Sequence, residues 1–192
     1  MSSSIDNKTD STNTNELSIE NINELKDKEK VQMDSISLSI SAILEELLKQ
    51  NKQLSSYKKK IYEQSKMVFS CHKKPKISIL EYINRIIKYT YLEKSSLIVS
   101  LIYLDRICLK DILITDYNIH RLLLISIIMS IKINEDKIYS NEYYAQVGGI
   151  SLKEFNNLER EYLIFLNFDL FVSYEEYSKY QSYIEMSQKI KK

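Results

Sequence analysis

The sequence predicts an all-α fold: a five-helix domain, with an extra N-terminal helix before it and a short C-terminal helix after it. Three observations favour this class. Apolar residues recur at steps of three and four, no useful run alternates with a period of two, and capping residues separate the apolar stretches. With 192 residues, 44% of them apolar, the chain is long enough for one domain with a core plus a tail.

The first part of the chain is polar and precedes the regular apolar patterns. Residues 1–34 carry only isolated Ile and Leu, so we expect a disordered tail, with a short helix around Ser18–Lys30 as the alternative. Residues 35–74 are predicted to form an N-terminal helix and a basic connector. The helix ends near Asn51, and its apolar positions are Ile36, Ile40, Ile43, Leu44, Leu47 and Leu48. In the connector, Tyr57–Phe69 is compatible with a helix.

Residues 75–170 are predicted to form the five-helix domain. Pro75 ends any preceding helix, because it moves the residue before it away from helical geometry. Ser78 is a suitable N-cap for the first helix, since Glu81 lies three residues later as in a capping box. The second helix is predicted to begin at Ser95 or Ser96.

The third helix is the most apolar segment of the chain. We expect it to begin at Thr115 or Asp116 and to run through Ile119 to Ile133. A helix that is apolar nearly all round belongs at the centre of a bundle.

Two shorter patterns complete the domain. Asn141 is predicted to open a short fourth helix, Glu142–Val147, which ends at Gly148-Gly149 because glycine adopts the left-handed cap conformation easily. Ser151 caps the fifth helix, which is predicted to end near Asn167. Residues 171–192 are aromatic and charged and are predicted to form the short C-terminal helix.

The composition argues against several classes of function. The chain has two glycines, Gly148 and Gly149, which are adjacent, so it has no glycine-rich phosphate loop, and no nucleophile or zinc-protease motif is present. We therefore expect a protein that is not an enzyme and has no cofactor. A formal net charge of +1 disfavours a dedicated nucleic-acid binder.

Metal sites, disulfides and membrane spans are also disfavoured. Cys71 and Cys108 are interpreted as small apolar fillers in a reduced compartment. Together with His72 and His120 they do not form a tetrahedral ligand set, so no metal is expected. The apolar run Leu122–Ile131 is too short to span a bilayer, and no secretory signal is present. We expect an intracellular protein, in the cytoplasm, the nucleus or both.

The fifth helix contains a possible partner surface. Leu163 lies off the apolar stripe of this helix, one turn after Glu159, and Phe168 and Leu170 add apolar area past its end. A single exposed leucine is commonplace, but an apolar centre beside a charged anchor is also how subunit interfaces are built. Both interpretations remain open from the residues alone.

Two further polar residues interrupt apolar helices. Lys132 lies near the end of the third helix, where it either stabilises the helix end or reaches a partner's backbone carbonyls or carboxylate. Asp105 lies among Leu, Ile and Val in the second helix. A buried carboxylate needs a partner, so we predict a structural salt bridge between Asp105 and Arg85 on the first helix.

The stretch from Ile36 to Val172 resembles the P/U-type, phosphate-regulon-like cyclins. The matching segments are ISAILEELLKQN, FSCHKKPKISILEYINRI, LIYLDRI, HRLLLISIIMSIKINED and NEYYAQVGGISLKEFNNLEREYLIFLNFDLFV. The last two are the most specific.

The resemblance implies that the five helices form one cyclin box within residues 75–170. It implies a regulatory subunit that binds and activates a cyclin-dependent protein kinase, with a role in cell-cycle or growth control. In the family a lysine and a glutamate together grip the kinase, and these positions match Lys132 and Glu159. The family's apolar kinase contacts match Ile133, Leu163, Phe168 and Leu170, and its second-helix aspartate matches Asp105. We use the term docking surface for the six kinase-contact positions, which do not include Asp105: Lys132, Ile133, Glu159, Leu163, Phe168 and Leu170.

Two features limit what the resemblance implies. The substrate-docking sequence MRAIL of mitotic cyclins is replaced here by ISILEYINRI, so recruitment of substrates through that groove is not expected. The kinase interpretation also requires that Lys132 and Glu159 lie neither on opposite sides of the molecule nor buried against each other. A cyclin-fold adaptor in transcription and a helical scaffold for another partner remain the alternatives.

Overall fold

The computed structural model describes residues 11–54, 67–110 and 112–189. Within these residues the regular structure is helical and no strand is found, which confirms the all-α class. The described part contains seven α-helices and one short 3-10 turn, Met67–Phe69. The helices are α1 (Ser11–Lys52), α2 (Ile79–Thr90), α3 (Lys94–Cys108), α4 (Ile119–Asn134), α5 (Asn141–Gly148), α6 (Leu152–Phe165) and α7 (Tyr174–Lys189).

The chain divides into two compact units, Met1–Ser35 and Ile36–Lys192. In the first unit, residues 11–34 are helical, and this stretch includes Ser18–Lys30, the segment named as the helical alternative to a disordered tail. This stretch has no Gly or Pro and is rich in Glu and Lys, which favour helices without burial. Lys28 and Glu24 lie one turn apart with 3.6 Å between Nζ and Oε2. Residues 1–10 lie outside the described part.

In the second unit, the remainder of α1 buries four of its six predicted apolar positions, and the other two, Ile43 and Leu47, are half-buried. Its buried apolar side chains are Ile36, Ile40, Leu44 and Leu48, each four residues from the next. Near the end of α1, Asn51 donates from Nδ2 to the carbonyl of Ile114 at 2.9 Å. Most of the segment Tyr57–Phe69, which was compatible with a helix, lies outside the described residues; its end is the 3-10 turn.

Helices α2 and α3 begin in different ways. Ser78 caps α2 and forms the predicted capping box with Glu81. Accepting two hydrogen bonds from Ser78 lowers the pKa of the Glu81 carboxyl. The N-cap position of helix α3 is Glu93 rather than Ser95 or Ser96. The Glu93 side chain does not accept a hydrogen bond from the first turn of the helix.

Helix α4 lies at the centre of the second unit. Its residues from Leu122 to Ile131 are all buried, as the apolar sequence predicts. The helix begins after Asn118, three residues later than the predicted start at Thr115. The Tyr162 hydroxyl and Ser126 Oγ are 2.5 Å apart, and Ser126 donates to the carbonyl of Leu122. The Tyr162 hydroxyl is therefore the donor in this buried contact between α6 and α4.

The two glycines end α5, each for its own reason. Gly149 has a φ of 73°, which is the left-handed conformation expected after a helix. A Cβ on Gly148 would lie 2.3 Å from Cδ2 of Leu124 on α4. Gly148 is therefore required by the close approach of α5 to α4, and Gly149 by its backbone conformation.

The two cysteines are free thiols. Burial raises the pKa of the Cys108 thiol to about 12, so this group stays protonated at neutral pH.

Across the described ranges, no helix combines the length and apolar character that crossing a membrane requires.

His120 at the start of α4 is buried, and its surroundings favour the neutral imidazole ring over the protonated one. Its Nε2 lies 3.0 Å from the carbonyl oxygen of Ile77, so Nε2 carries the hydrogen and donates. Nδ1 is buried and has no hydrogen-bond partner among the described residues. Burial lowers the pKa of His120, since a protonated ring would place a second N–H where no acceptor lies.

We predict that Gly148→Ala destabilises the second unit by about 1–3 kcal/mol, because the new methyl group must displace the buried Leu124 side chain. Gly149→Ala is the control: its new methyl group makes only an ordinary contact, at 4.0 Å from Nη2 of Arg85, but the residue must keep a left-handed conformation, which costs about 1–2 kcal/mol. Chemical denaturation measures both. In a double variant, Leu124→Ala should remove most of the effect of Gly148→Ala, and a fully additive cycle would contradict the proposed clash.

We predict that the free energy of unfolding falls as the pH drops below the ordinary histidine pKa of about 6.5. The unfolded chain takes up a proton there that folded His120 resists, so stability is lost toward low pH, by at most about 1.4 kcal/mol per pH unit. His120→Gln keeps a donor for Ile77 and should flatten the profile between pH 7.5 and 5.5. A profile that is identical in the variant would assign the effect to another group.

Candidate functional site

Lys132 and Glu159 are in direct contact between α4 and α6. Lys132 Nζ lies 2.5 Å from Oε1 of Glu159, and the two side chains keep 22% and 18% of their accessible surface. Lys132 Nζ also lies 5.8 Å from the ring centre of Phe155, which forms an apolar floor behind the ammonium. The pair is thus neither split across the molecule nor fully buried, and one side of it faces solvent.

The position of Lys132 follows from the way in which α4 ends. Ile131 is the last fully buried residue of the helix, Lys132 is half-buried, and Ile133 is 54% exposed. The apolar surround therefore stops within one turn of the helix end. A lysine at this point is favoured by the helix dipole and is close enough to α6 to reach Glu159.

Asn141 is a third member of this cluster and was not identified from the sequence as a site residue. Its Oδ1 accepts from Lys132 Nζ at 2.5 Å, and its Nδ2 donates to Oε2 of Glu159 at 2.9 Å. Nδ2 also donates to Oδ1 of Asn156 at 2.9 Å. From the sequence, Asn141 is predicted only to open a helix, and no local pattern distinguishes it as a site residue.

The apolar members of the docking surface differ in exposure. Ile133 and Phe168 are 54% and 68% exposed, whereas Leu163 and Leu170 are half-buried. Leu163 lies one turn beyond Glu159 on α6 and therefore on the same face of that helix. The structure brings Lys132 and Glu159 into contact and places the apolar members on the end of α4, on α6 and in the turn after it.

The turn after α6 fixes the backbone of Phe168. The amide of Phe168 donates to the carbonyl of Leu163 at 2.9 Å, and that of Asn167 donates to Ile164 at 3.0 Å. This pair of hydrogen bonds is a Schellman motif, with Asn167 in the left-handed position at a φ of 53°. Phe168 follows with a φ of 58°, a conformation that is uncommon for an aromatic residue.

Two residues of α3 hold the segment that follows this turn. The Tyr103 hydroxyl donates to the carbonyl of Leu170 at 2.6 Å. The Arg106 guanidinium donates to the carbonyls of Asp169 and Phe171 at 3.0 and 2.8 Å. Arg106 also lies 2.7 Å from Oε2 of Glu176 on α7. The sequence did not identify Arg106, because its acceptors lie more than sixty residues away.

The predicted salt bridge between Asp105 and Arg85 is wrong. Asp105 is exposed and accepts a hydrogen bond from the Tyr180 hydroxyl on α7 at 2.6 Å. Arg85 instead donates to the carbonyl of Gln146 on α5 at 3.3 Å. The last turn of α3 faces α7, and this exposure means that the carboxylate needs no buried cation.

The described residues contain no group of three or more His, Cys, Asp or Glu side chains able to hold a metal ion. The cluster at Lys132 consists of one cation, one carboxylate and two amides, and its polar atoms largely satisfy one another. Such a cluster suits recognition of another molecule's polar groups.

Comparison with known proteins gives one consistent result. A family model described as Cyclin matches residues 7–170. Cyclin-U4-1 of Arabidopsis thaliana is 34% identical over 160 residues, covering 81% of this chain and 79% of that protein. PHO85 cyclin-7 of Saccharomyces cerevisiae is 34% identical over 167 residues, covering 77% and 59%. Cyclin-P3-1 of Oryza sativa is 32% identical over 154 residues, covering 80% and 64%.

We predict that Arg106→Gln lowers the free energy of unfolding by about 1–3 kcal/mol, because carbonyls of the segment after α6 lose a charged donor. Arg106→Lys should recover little, since an ammonium cannot reproduce the planar guanidinium fork. Urea denaturation measures both variants. Arg160→Gln removes an exposed guanidinium and should change stability by no more than about 0.5 kcal/mol. Equal effects at the two positions would contradict the anchoring role of Arg106.

Proposed function

The chain belongs to the cyclin family, and from that premise we propose that it binds and activates a cyclin-dependent protein kinase through the docking surface. Its family is one of regulatory, non-catalytic proteins, and its relatives include P-type and U-type cyclins. PHO85 cyclin-7 is by its name a cyclin of PHO85, and a partner of the same kind for this chain is part of the proposal. A role in cell-cycle or growth control is also part of the proposal.

The observation that carries the proposal is the partly open ion pair between Lys132 and Glu159. A surface ion pair on its own contributes little to folding, typically about 0–1 kcal/mol. Here the lysine of the pair is followed in the chain by Ile133, which is 54% exposed. A charged pair next to exposed apolar side chains is the composition of a recognition surface rather than of a solvated face.

The internal contacts of the pair determine what it can bind. Lys132 has three N–H donors, of which Glu159 and Asn141 occupy two. The carboxylate of Glu159 is already neutralised by the ammonium, so the cluster has no net charge. Such a cluster favours neutral polar groups of a partner, above all backbone carbonyl and N–H groups, over a second charged side chain. Of the two targets considered for Lys132, backbone carbonyls are therefore favoured over a carboxylate.

Apolar contacts would supply most of the affinity. Full burial of an exposed apolar side chain contributes about 1.5–3 kcal/mol. Phe168 and Ile133 are more than half exposed, so a partner that covers both gains a substantial part of that amount. The half-buried Leu163 and Leu170 extend the same surface.

Activation would follow from a shift in the kinase's own equilibrium. A kinase is active only when its regulatory helix is positioned so that the lysine–glutamate pair that orients ATP can form. A surface that binds this active arrangement better than the inactive one shifts the population toward it. A shift from 1:99 to 99:1 needs a difference in affinity of about 10⁴. The cyclin contributes no catalytic group in this mechanism.

We predict that Lys132→Ala with Glu159→Ala weakens recovery of a protein kinase from cell extract and lowers activation of that kinase in vitro. Loss of the pair removes the polar anchor, while the melting temperature should fall only slightly because both charges are removed together and neither is left unpaired. Affinity purification with mass spectrometry identifies the kinase, and calorimetry with purified proteins then gives the affinity.

The control is a second lysine–glutamate pair, changed in the same way. Lys28 and Glu24 keep 73% and 69% of their side-chain surface and lie outside the docking surface. Their double alanine variant should bind and activate the kinase normally. Recovery of a non-kinase partner by the wild-type chain, or full activity of the Lys132 and Glu159 variant, would refute the proposal.

A further inference from the structure

Asn141 occupies the first position of α5 and contacts side chains from two other helices. Its amide lies against Lys132 of α4 and against Glu159 and Asn156 of α6. Ser140 caps α5 by accepting from the amide of Tyr143, so the backbone at Asn141 is held by a separate contact. The side chain of Asn141 is therefore not needed as a helix cap.

The amide can take only one orientation in this cluster. The ammonium of Lys132 has only donors, and the carboxylate of Glu159 has only acceptors. The oxygen of Asn141 must therefore face Lys132, and its NH₂ group must face Glu159, as the distances of 2.5 and 2.9 Å show. The second N–H is taken by Asn156. Aspartate offers no N–H at this place, and leucine offers neither group.

We propose that Asn141 is a positioning residue for the docking surface, holding the Lys132 ammonium and the Glu159 carboxylate in one arrangement before a partner binds. This inference rests on the proposed function, because the partner in question is the kinase. It names a residue to which neither the sequence pattern nor the resemblance assigned a role.

The physical basis is the cost of ordering a lysine. Lysine is among the side chains that lose most rotamer freedom when they become fixed. In this chain, two acceptors from α5 and α6 fix the ammonium in the free protein. A partner then meets an ordered donor, and the ordering cost is not subtracted from the binding free energy.

An exchange of side chains tests this role directly. Asn141→Asp places a carboxylate beside Glu159 and removes the N–H between them, so the two acids repel each other. Glu159→Gln leaves Lys132 without a carboxylate. The two changes together restore one ammonium, one carboxylate and one amide in the same cluster, with the positions of acid and amide exchanged. Aspartate in the first turn of α5 is favoured by the helix dipole, so Asn141→Asp is expected to fold.

The first measurement uses the free chain and needs no partner. With ¹⁵N-labelled lysine, NMR detects the Lys132 ammonium separately when its hydrogens exchange slowly with water. We expect a resolved, slowly exchanging signal in the wild type, loss of that signal in Asn141→Leu, and its return in the exchanged double variant. A signal that is unchanged in Asn141→Leu would overturn the inference, whatever the chain binds.

The second measurement uses the kinase recovered by the wild-type chain. We expect Asn141→Asp and Glu159→Gln each to weaken binding about tenfold, which corresponds to about 1.4 kcal/mol, and the double variant to bind within about threefold of wild type. Asn84→Asp makes the same chemical change on the exposed face of α2 and should leave binding unchanged.

The two proposals fail in different ways. If the double variant regains the ammonium signal but still binds about a hundredfold more weakly, an ordered Lys132 is not sufficient for binding, and the positioning role of Asn141 in partner binding is wrong while the docking surface, with Glu159 as a direct contact, stands. If the wild-type chain recovers no kinase, the proposed function fails, and the NMR comparison still decides whether Asn141 orders Lys132.

Discussion

The burial of α4 is the constraint on which the second unit depends. From Leu122 to Ile131 no residue of this helix faces solvent, so other helices must cover every side of it. Helices α2, α3, α5 and α6 all pack against α4, with α3 making the most extensive contact. The polar Ser126 is also buried in this stretch, and its hydroxyl forms hydrogen bonds with the Leu122 carbonyl and the Tyr162 hydroxyl.

The docking surface arises where that constraint ends. The cover over α4 stops at Ile131, and the next residue is the lysine that meets Glu159. The close approach of α5, which Gly148 permits by having no side chain, belongs to the same arrangement of helices that brings Asn141 to this point. The position of the cluster is therefore a consequence of how the central helix is covered.

Local patterns in the sequence predicted the features that depend on neighbouring residues. The capping box of Ser78 and Glu81, the stripe of α1 and the left-handed Gly149 are each determined within a few residues. Contacts between distant segments were not accessible in this way. Arg106 and Asp105 are adjacent in the chain, yet their partners lie on α7 and the turn after α6, so no spacing rule could assign them. The family resemblance suggested the proposed roles of Lys132 and Glu159, but it did not suggest Asn141.

The two halves of the docking surface are ordered by different means, and this suggests different roles. The polar half is satisfied internally, so it gains little energy from a partner but accepts only one geometry of hydrogen bonds. The apolar half remains exposed because the backbone holds it there: Phe168 keeps an uncommon left-handed conformation, and Tyr103 and Arg106 fix the segment that follows it. In the proposed complex, affinity is therefore expected to depend mainly on Phe168 and its apolar neighbours, and the choice of partner mainly on the cluster of Lys132, Glu159 and Asn141.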